Sequence, residues 1–381
     1  MRLKLEETFR LVHGGEPAMI VRAPGRVNLI GEHTDYNNGF VLPCAIAYET
    51  LVAVRPREDQ RVNVVALDWG QQVDSFELSQ SITHHHSQQW CNYVRGVAVQ
   101  LLACGFPLTG CDLAITGNVP QGAGLSSSAA LEVALARALL LASGLDATPL
   151  EIARVGQAAE NEFVGCACGI MDQLISAAGV DGQALLIDCQ DLGMKPVTLP
   201  DSLSLLMINS NVKRGLVDSE YNTRREQCEA VARHFGVDSL RQVELAQLDA
   251  EAAMLDALSV NRARHVLEEN ERVLATVAAL GACDLSRLSE LMASSHRSMR
   301  DLFEITTPEI DLLVDILAEV VGDRGGVRMT GGGFGGCVVA LLDNELLEPA
   351  VTAVAQRYQS VTGLAETVYT SRPCEGVSVL Q

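Results

Sequence analysis

The sequence predicts an α+β protein made of two core units. Three observations carry that reading. Strand-like stretches come in groups instead of alternating regularly with helices. The chain has 381 residues, more than one core usually organises, and 48% of them are hydrophobic. Its character changes at a Pro-containing connector over 192–201, from short strands and apolar helices to long charged helices. The expected units are therefore 1–195 and 196–381.

The elements follow in order. Residues 18–24 read as a short strand, 39–54 as an apolar strand pair, and 61–76 as further strand rich in β-branched residues. Helical spacing at 89–104 puts Val94, Val97, Ala98, Leu101 and Leu102 on one side. Residues 111–118 read as a strand that feeds a Gly/Ser loop. Residues 130–143 are apolar nearly all round, which predicts a buried helix, and Gly144 ends it. Helices are expected over 149–164 and 169–179, then a strand at 184–188. Past the connector come a strand at 204–209 and long charged helices over 219–322. Strands at 327–330 and 336–342 flank a glycine cluster, and helix and strand return over 345–370.

Composition narrows the function. A net charge of −20 repels nucleic acid and anionic lipid, although a local pocket of arginine and backbone amides still holds a small anion. Eleven cysteines, an odd number without a Cys-x-x-Cys pair, read as reduced thiols. The N-terminus is too charged for a signal peptide, and no run reaches the ~18 apolar residues of a membrane span. The expectation is a cytoplasmic protein with small-molecule partners.

Four motifs carry chemistry. Residues 120–130, PQGAGLSSSAA, form a glycine-serine loop running into a helix N-terminus, which suits a phosphate. No Gly-Lys-Ser/Thr occurs, so this is not a Walker A loop, and Ser127 stands where a dinucleotide fingerprint has its third glycine. The alternative is a plain serine-capped turn. A second cluster, 331–336, satisfies G-x-G-x-x-G but leads into a strand-like run. It reads either as a hairpin or as backbone lying near a ligand. Residues 24–37, PGRVNLIGEHTDYN, gather a cation, two acids, an imidazole and several amides. That density suits a polyhydroxylated ligand better than a solvated loop. Residues 160–173, ENEFVGCACGIMDQ, carry Glu160 and Asp172. These are candidates for a magnesium ligand and for an acid near an acceptor hydroxyl.

Residues 25–37 resemble the signature of the galactokinase family. The loop at 120–129 and the run 328–337, RMTGGGFGGC, resemble motifs of the wider GHMP small-molecule kinases, in the same order and nearly end to end. The resemblance implies an N-terminal domain like ribosomal protein S5 and a C-terminal ferredoxin-like domain, with the site between them. It implies transfer of the γ-phosphoryl group of MgATP to the C1 hydroxyl of D-galactose, the first committed step of galactose catabolism. A monomer is expected, although the sequence does not fix the oligomeric state. By position, Arg26, Glu32, His33, Thr34, Asp35, Gly169, Asp172 and Tyr221 would hold the sugar. Gly122, Ala123, Gly124, Leu125, Ser126 and Ser127 would wrap the phosphates, and Ser128 and Glu160 would hold Mg2+. Trp90 would lie near the adenine. Asp172 is expected to take the hydroxyl proton, with Arg26 offsetting charge around it. Asn38 replaces an aspartate common in relatives and reads as a turn variant. The run 84–86, three histidines, has no assigned role and reads as an exposed loop. Rival readings are a kinase for N-acetylgalactosamine, a sugar sensor without turnover and, more distantly, a dehydrogenase.

Overall fold

Thirteen strands form three sheets in the computed structural model, which describes residues 1–213 and 217–380, without the side chains of 217–219. The strands are β1 Met19–Asn28, β2 Phe40–Val41, β3 Pro43–Pro56, β4 Arg61–Ala66, β5 Gln72–Glu77, β6 Cys111–Gly117, β7 Gln183–Asp188, β8 Gly193–Thr198, β9 Leu203–Asn209, β10 Gly325–Thr330, β11 Cys337–Asp343, β12 Thr367–Ser371 and β13 Ser378–Leu380. The main helices are α1 Arg2–His13, α2 Gln89–Ala103, α3 Ser127–Ala142, α4 Pro149–Ala158, α5 Met171–Ala178, α6 Val217–His234, α7 Leu245–Glu251, α8 Ala257–Gly281, α9 Leu285–Ser298, α10 Pro308–Val321 and α11 Leu347–Thr362.

The first sheet runs β13-β1-β3-β6-β4-β5, antiparallel except where β4 meets β6. Helices α2 to α5 cover one face with the largest apolar cluster. The other face is partly covered by α1, whose Leu5 and Phe9 pack on Ile20, Leu51, Val65 and Ala114. That helix is absent from the sequence reading. Only two large apolar residues of a highly charged segment point inward, too few for a clear period.

A four-stranded antiparallel sheet, β10-β11-β9-β12, forms the second unit. Its central strands β9 and β11 are mostly apolar because both of their faces are buried. Val338, Ala340 and Leu342 face a cluster shared with the C-terminal helices. The alternate residues Cys337, Val339 and Leu341 face a cluster with Val27, Leu29, Ile30 and Leu125 of the first unit. The two units thus share a core, and the site sits along this seam.

Two expectations change. The connector over 192–201 contains β8, which pairs with β7 from Gln183↔Thr198 to Asp188↔Gly193. The chain end also crosses back, since β13 pairs with β1 in the first sheet. A division at 195/196 remains our proposal for the units, with this last strand returning over it.

Candidate active site

Strand β6 leads into the glycine-serine loop, where Gly122 (φ 70°), Gly124 (φ 78°) and Ser126 (φ 62°) take left-handed conformations. These turns deliver the chain to α3, which starts at Ser127 without a side-chain cap. Its first-turn N–H groups, at the positive end of the helix dipole, are left for a ligand. Gly122, Gly124, Leu125, Ser126, Ser127 and Ser128 line a cavity of about 250 Å³. The side chain of Ala123, expected among the loop residues around the phosphates, packs in the seam core.

Arg26 enters the cavity from β1 at a register shift between Pro24 and Arg26. The loop lies directly over this bulge. Arg26 N–H donates to the Leu125 carbonyl at 3.1 Å, and a Cβ on Gly25 would stand 2.7 Å from that oxygen. The guanidinium makes a two-pronged pair with Asp172, Nε to Oδ1 at 2.7 Å and Nη2 to Oδ2 at 2.6 Å, while Nη1 donates to the Gly124 carbonyl at 2.7 Å. Burial opposes the charge on Arg26. Asp172, Glu32 and Asp35 outweigh it and hold its pKa above the ordinary arginine value. The Ser126 hydroxyl, expected on a phosphate, donates to Asp172 Oδ2. Asp172 stands on the first turn of α5 and lines the cavity.

The signature loop supplies the opposite wall. Glu32 is buried and accepts from Asn28 Nδ2 at 3.1 Å, from Arg328 Nη1 at 3.2 Å and from the Gly331 N–H at 2.9 Å. His33 takes φ 62°, bonds the Tyr36 hydroxyl through Nδ1 at 2.8 Å, and lies 5.0 Å from the Tyr221 ring. Burial, helped by His265, pushes its pKa down to about 3, so the ring is neutral at physiological pH. Burial and the charge of Asp172 push Asp35 up to about 6. Gly169 touches Asp35 so closely that a Cβ there would lie 1.8 Å from Oδ2. Thr34 is the exception among the expected sugar contacts. It is fully buried, and its hydroxyl is used within the loop on the Gly31 and Phe40 carbonyls. The 331–336 cluster joins β10 to β11 as a hairpin, and Gly331 and Gly332 line the cavity.

Glu160 lies in a π-helical turn, Ala159–Val164, that widens the end of α4. Its carboxylate accepts from Gln173 Nε2 at 2.8 Å and from Cys168 Sγ at 3.4 Å, and it lines the same cavity as Ser128. Burial raises its pKa against these bonds. A hydroxyl and a carboxylate side by side are the hard oxygen donors that magnesium takes. Ser128 also lines a second cavity of about 320 Å³, shared with Ser127 and walled by Trp69, Trp90 and Tyr93. Trp90 is mostly core, with its indole N–H on Gln72 Oε1 at 2.9 Å. The exposed ring there is Trp69, which the sequence reading overlooked. The three histidines lie in a loop as expected, but it is only partly exposed: His84 stacks on Phe163 of the π turn, and half-buried His85 accepts the Gln88 N–H at Nδ1 at 3.0 Å.

Comparison with known proteins places these features. Residues 7–56 match the family model for the galactokinase galactose-binding signature. The GHMP kinase N-terminal domain matches 92–180 and the C-terminal one 276–360. The structure of Lactococcus lactis galactokinase complexed with galactose superposes with a TM-score of 0.93 at 32% identity, covering all of both chains. The chain belongs to the galactokinase family. It is an ATP-dependent sugar kinase with the two-domain GHMP fold. Methanococcus jannaschii mevalonate kinase shares that fold alone, with a TM-score of 0.64 at 20% identity over 95% of this chain and 99% of its own.

Within this galactokinase-family site the structure gathers Arg26, Glu32, His33, Asp35, Gly169, Asp172 and Tyr221 around one cavity. Arg328 went unassigned in the sequence although it lies in the third motif, because its role depends on a partner 296 positions away. No helix among the described residues is long and apolar enough to cross a membrane.

Proposed function

We propose that the first cavity holds D-galactose and the second the adenine of ATP, with the triphosphate passing along Ser127 and Ser128 where the cavities meet. The observation that carries this reading is the Arg26–Asp172 pair, which faces the sugar cavity beside an uncapped helix N-terminus. Glu32, neutral His33 and Asp35 offer acceptors and donors at different angles to the sugar hydroxyls. Gly169 leaves room for the Asp35 carboxylate, and the Tyr221 ring closes the side.

The C1 hydroxyl donates toward Asp172, and its oxygen attacks the γ-phosphorus as the bond to the bridging oxygen breaks. ADP leaves, Asp172 takes the proton, and the product is galactose 1-phosphate. Because the transferring group carries little bond order, the proton moves late and positioning dominates. Arg26 fixes both oxygens of Asp172 and supplies positive charge beside the acceptor oxygen. The free N–H groups of the loop and of α3 receive charge from the phosphates. Magnesium, when bound, screens the triphosphate charge. Ser128 and Glu160 would hold it. The eleven cysteines are free thiols, which suits the cytoplasm.

A coupled ADP-release assay with galactose, its C4 epimer glucose and N-acetylgalactosamine tests the reading. Turnover is expected with galactose above the other two. Binding of galactose without turnover would mark a sensor, and preference for the acetamido sugar would overturn the substrate.

A further inference from the structure

Glu132 is fully buried on α3, among alanine, leucine and valine residues. An apolar side chain would pack there without the cost of taking a carboxyl out of water. Its Oε2 accepts from Gln173 Nε2 at 2.9 Å, and the same nitrogen donates to Glu160 Oε2 at 2.8 Å. One amide thus spends both hydrogens on two carboxylates from different helical segments. Among the described residues, Oε1 of Glu132 and Oε1 of Gln173 have no hydrogen-bond partner. The fold also makes room for the bridge. A Cβ on Gly156 of α4 would lie 3.0 Å from Gln173 Cγ and 3.3 Å from Glu132 Cβ. Packing alone does not explain a polar triad left half-satisfied.

We propose that Gln173, anchored on Glu132, is a positioning residue that fixes the Glu160 carboxylate for the nucleotide's divalent cation. This rests on the magnesium assignment made above. Glu160 Oε2 is occupied by the amide and by Cys168 Sγ, which leaves Oε1 for a cation in the cavity that Ser128 also lines. Without the amide, Glu160 Oε2 keeps only the weak thiol donor of Cys168. Outer-shell partners of this kind typically change metal affinity by about 10–100-fold.

The test uses Mn2+ as the probe, bound to the full chain with β,γ-imido-ATP and followed by the EPR signal of free Mn2+. Galactose affinity is measured separately without metal. Gln173→Leu is expected to weaken Mn2+ binding by about 10–100-fold and to leave galactose affinity unchanged. Glu132→Gln, which keeps an acceptor for the amide, is expected to retain Mn2+ affinity, and Glu132→Leu to lose part of it. Unaltered Mn2+ binding in Gln173→Leu, or in Glu132→Leu if the first variant does not fold, overturns the proposal. Equal loss of Mn2+ and galactose binding overturns it in favour of a general packing role. Glu160→Gln separates the two layers. If it binds Mn2+ normally, the magnesium assignment itself falls.

Discussion

Arg26 and Asp172 stand 146 positions apart and meet as a parallel two-bond pair, with the Ser126 hydroxyl on the same carboxylate. Arg26 comes from a strand bulge, Asp172 from a helix first turn and Ser126 from a left-handed loop residue. Three elements must therefore be in register before the carboxylate faces the cavity. Asp172→Asn keeps the shape and one acceptor but cannot take a proton. Its kcat is expected to fall by about 10²–10⁴-fold, with galactose affinity close to that of the unaltered chain and a lower melting temperature, because buried Arg26 loses its counter-charge. ADP release and calorimetry measure these quantities.

Gly169→Ala tests the contact with Asp35. The added methyl has no space beside Oδ2, so either Asp35 or the 165–169 loop must shift. A displacement of about 1 Å at a reacting site costs on the order of 100-fold in kcat/KM. The loss is expected in the galactose term, with the affinity for β,γ-imido-ATP retained, as titration calorimetry with each ligand would show.

Asp35 carries a stability cost with a definite pH dependence. Its pKa rises from 3.8 to about 6 on folding, so between those values the native state binds more protons than the unfolded one. Stability from this group therefore falls as pH rises through that window. The penalty is absent below 3.8 and complete above about 6. Asp35→Asn is expected to stabilise the free protein at pH 7 by on the order of 3 kcal/mol, to lose that advantage toward pH 4, and to bind galactose more weakly. Urea unfolding at the two pH values checks the sign.

Arg328 has no exposed surface, and it joins β10 to the signature loop through Glu32 Oε1 and the Asn28 and Leu29 carbonyls. Arg328→Met leaves Glu32 buried without its cation, a loss of about 3–5 kcal/mol. Adding Glu32→Gln is expected to recover part of that loss, because the uncompensated charge is removed. A double-mutant cycle by urea unfolding measures the coupling, and weakened galactose binding should accompany the single change.

Much of this protein was legible in its sequence because the information is local. The phosphate loop needs consecutive glycines and serines before an apolar helix, and the signature crowds its donors and acceptors into 24–37. Both read directly as chemistry. Period and punctuation likewise predicted most strands and helices, with Gly144 at φ 68° ending α3 as expected. A lone glutamate in the apolar α3 was a signal that could have pointed to Glu132. What the tertiary structure alone decided is pairing at long range. It turned Thr34 and Ala123 inward, took the Ser126 hydroxyl for Asp172, gave Glu32 its partner in Arg328, and set Trp69 on the second cavity. It also returned the chain end to the first sheet as β13. Hydrophobic pattern sets which face of an element is buried. Which elements share that buried face, and so which polar groups lose water together, is settled only when the two sheets close over a common core.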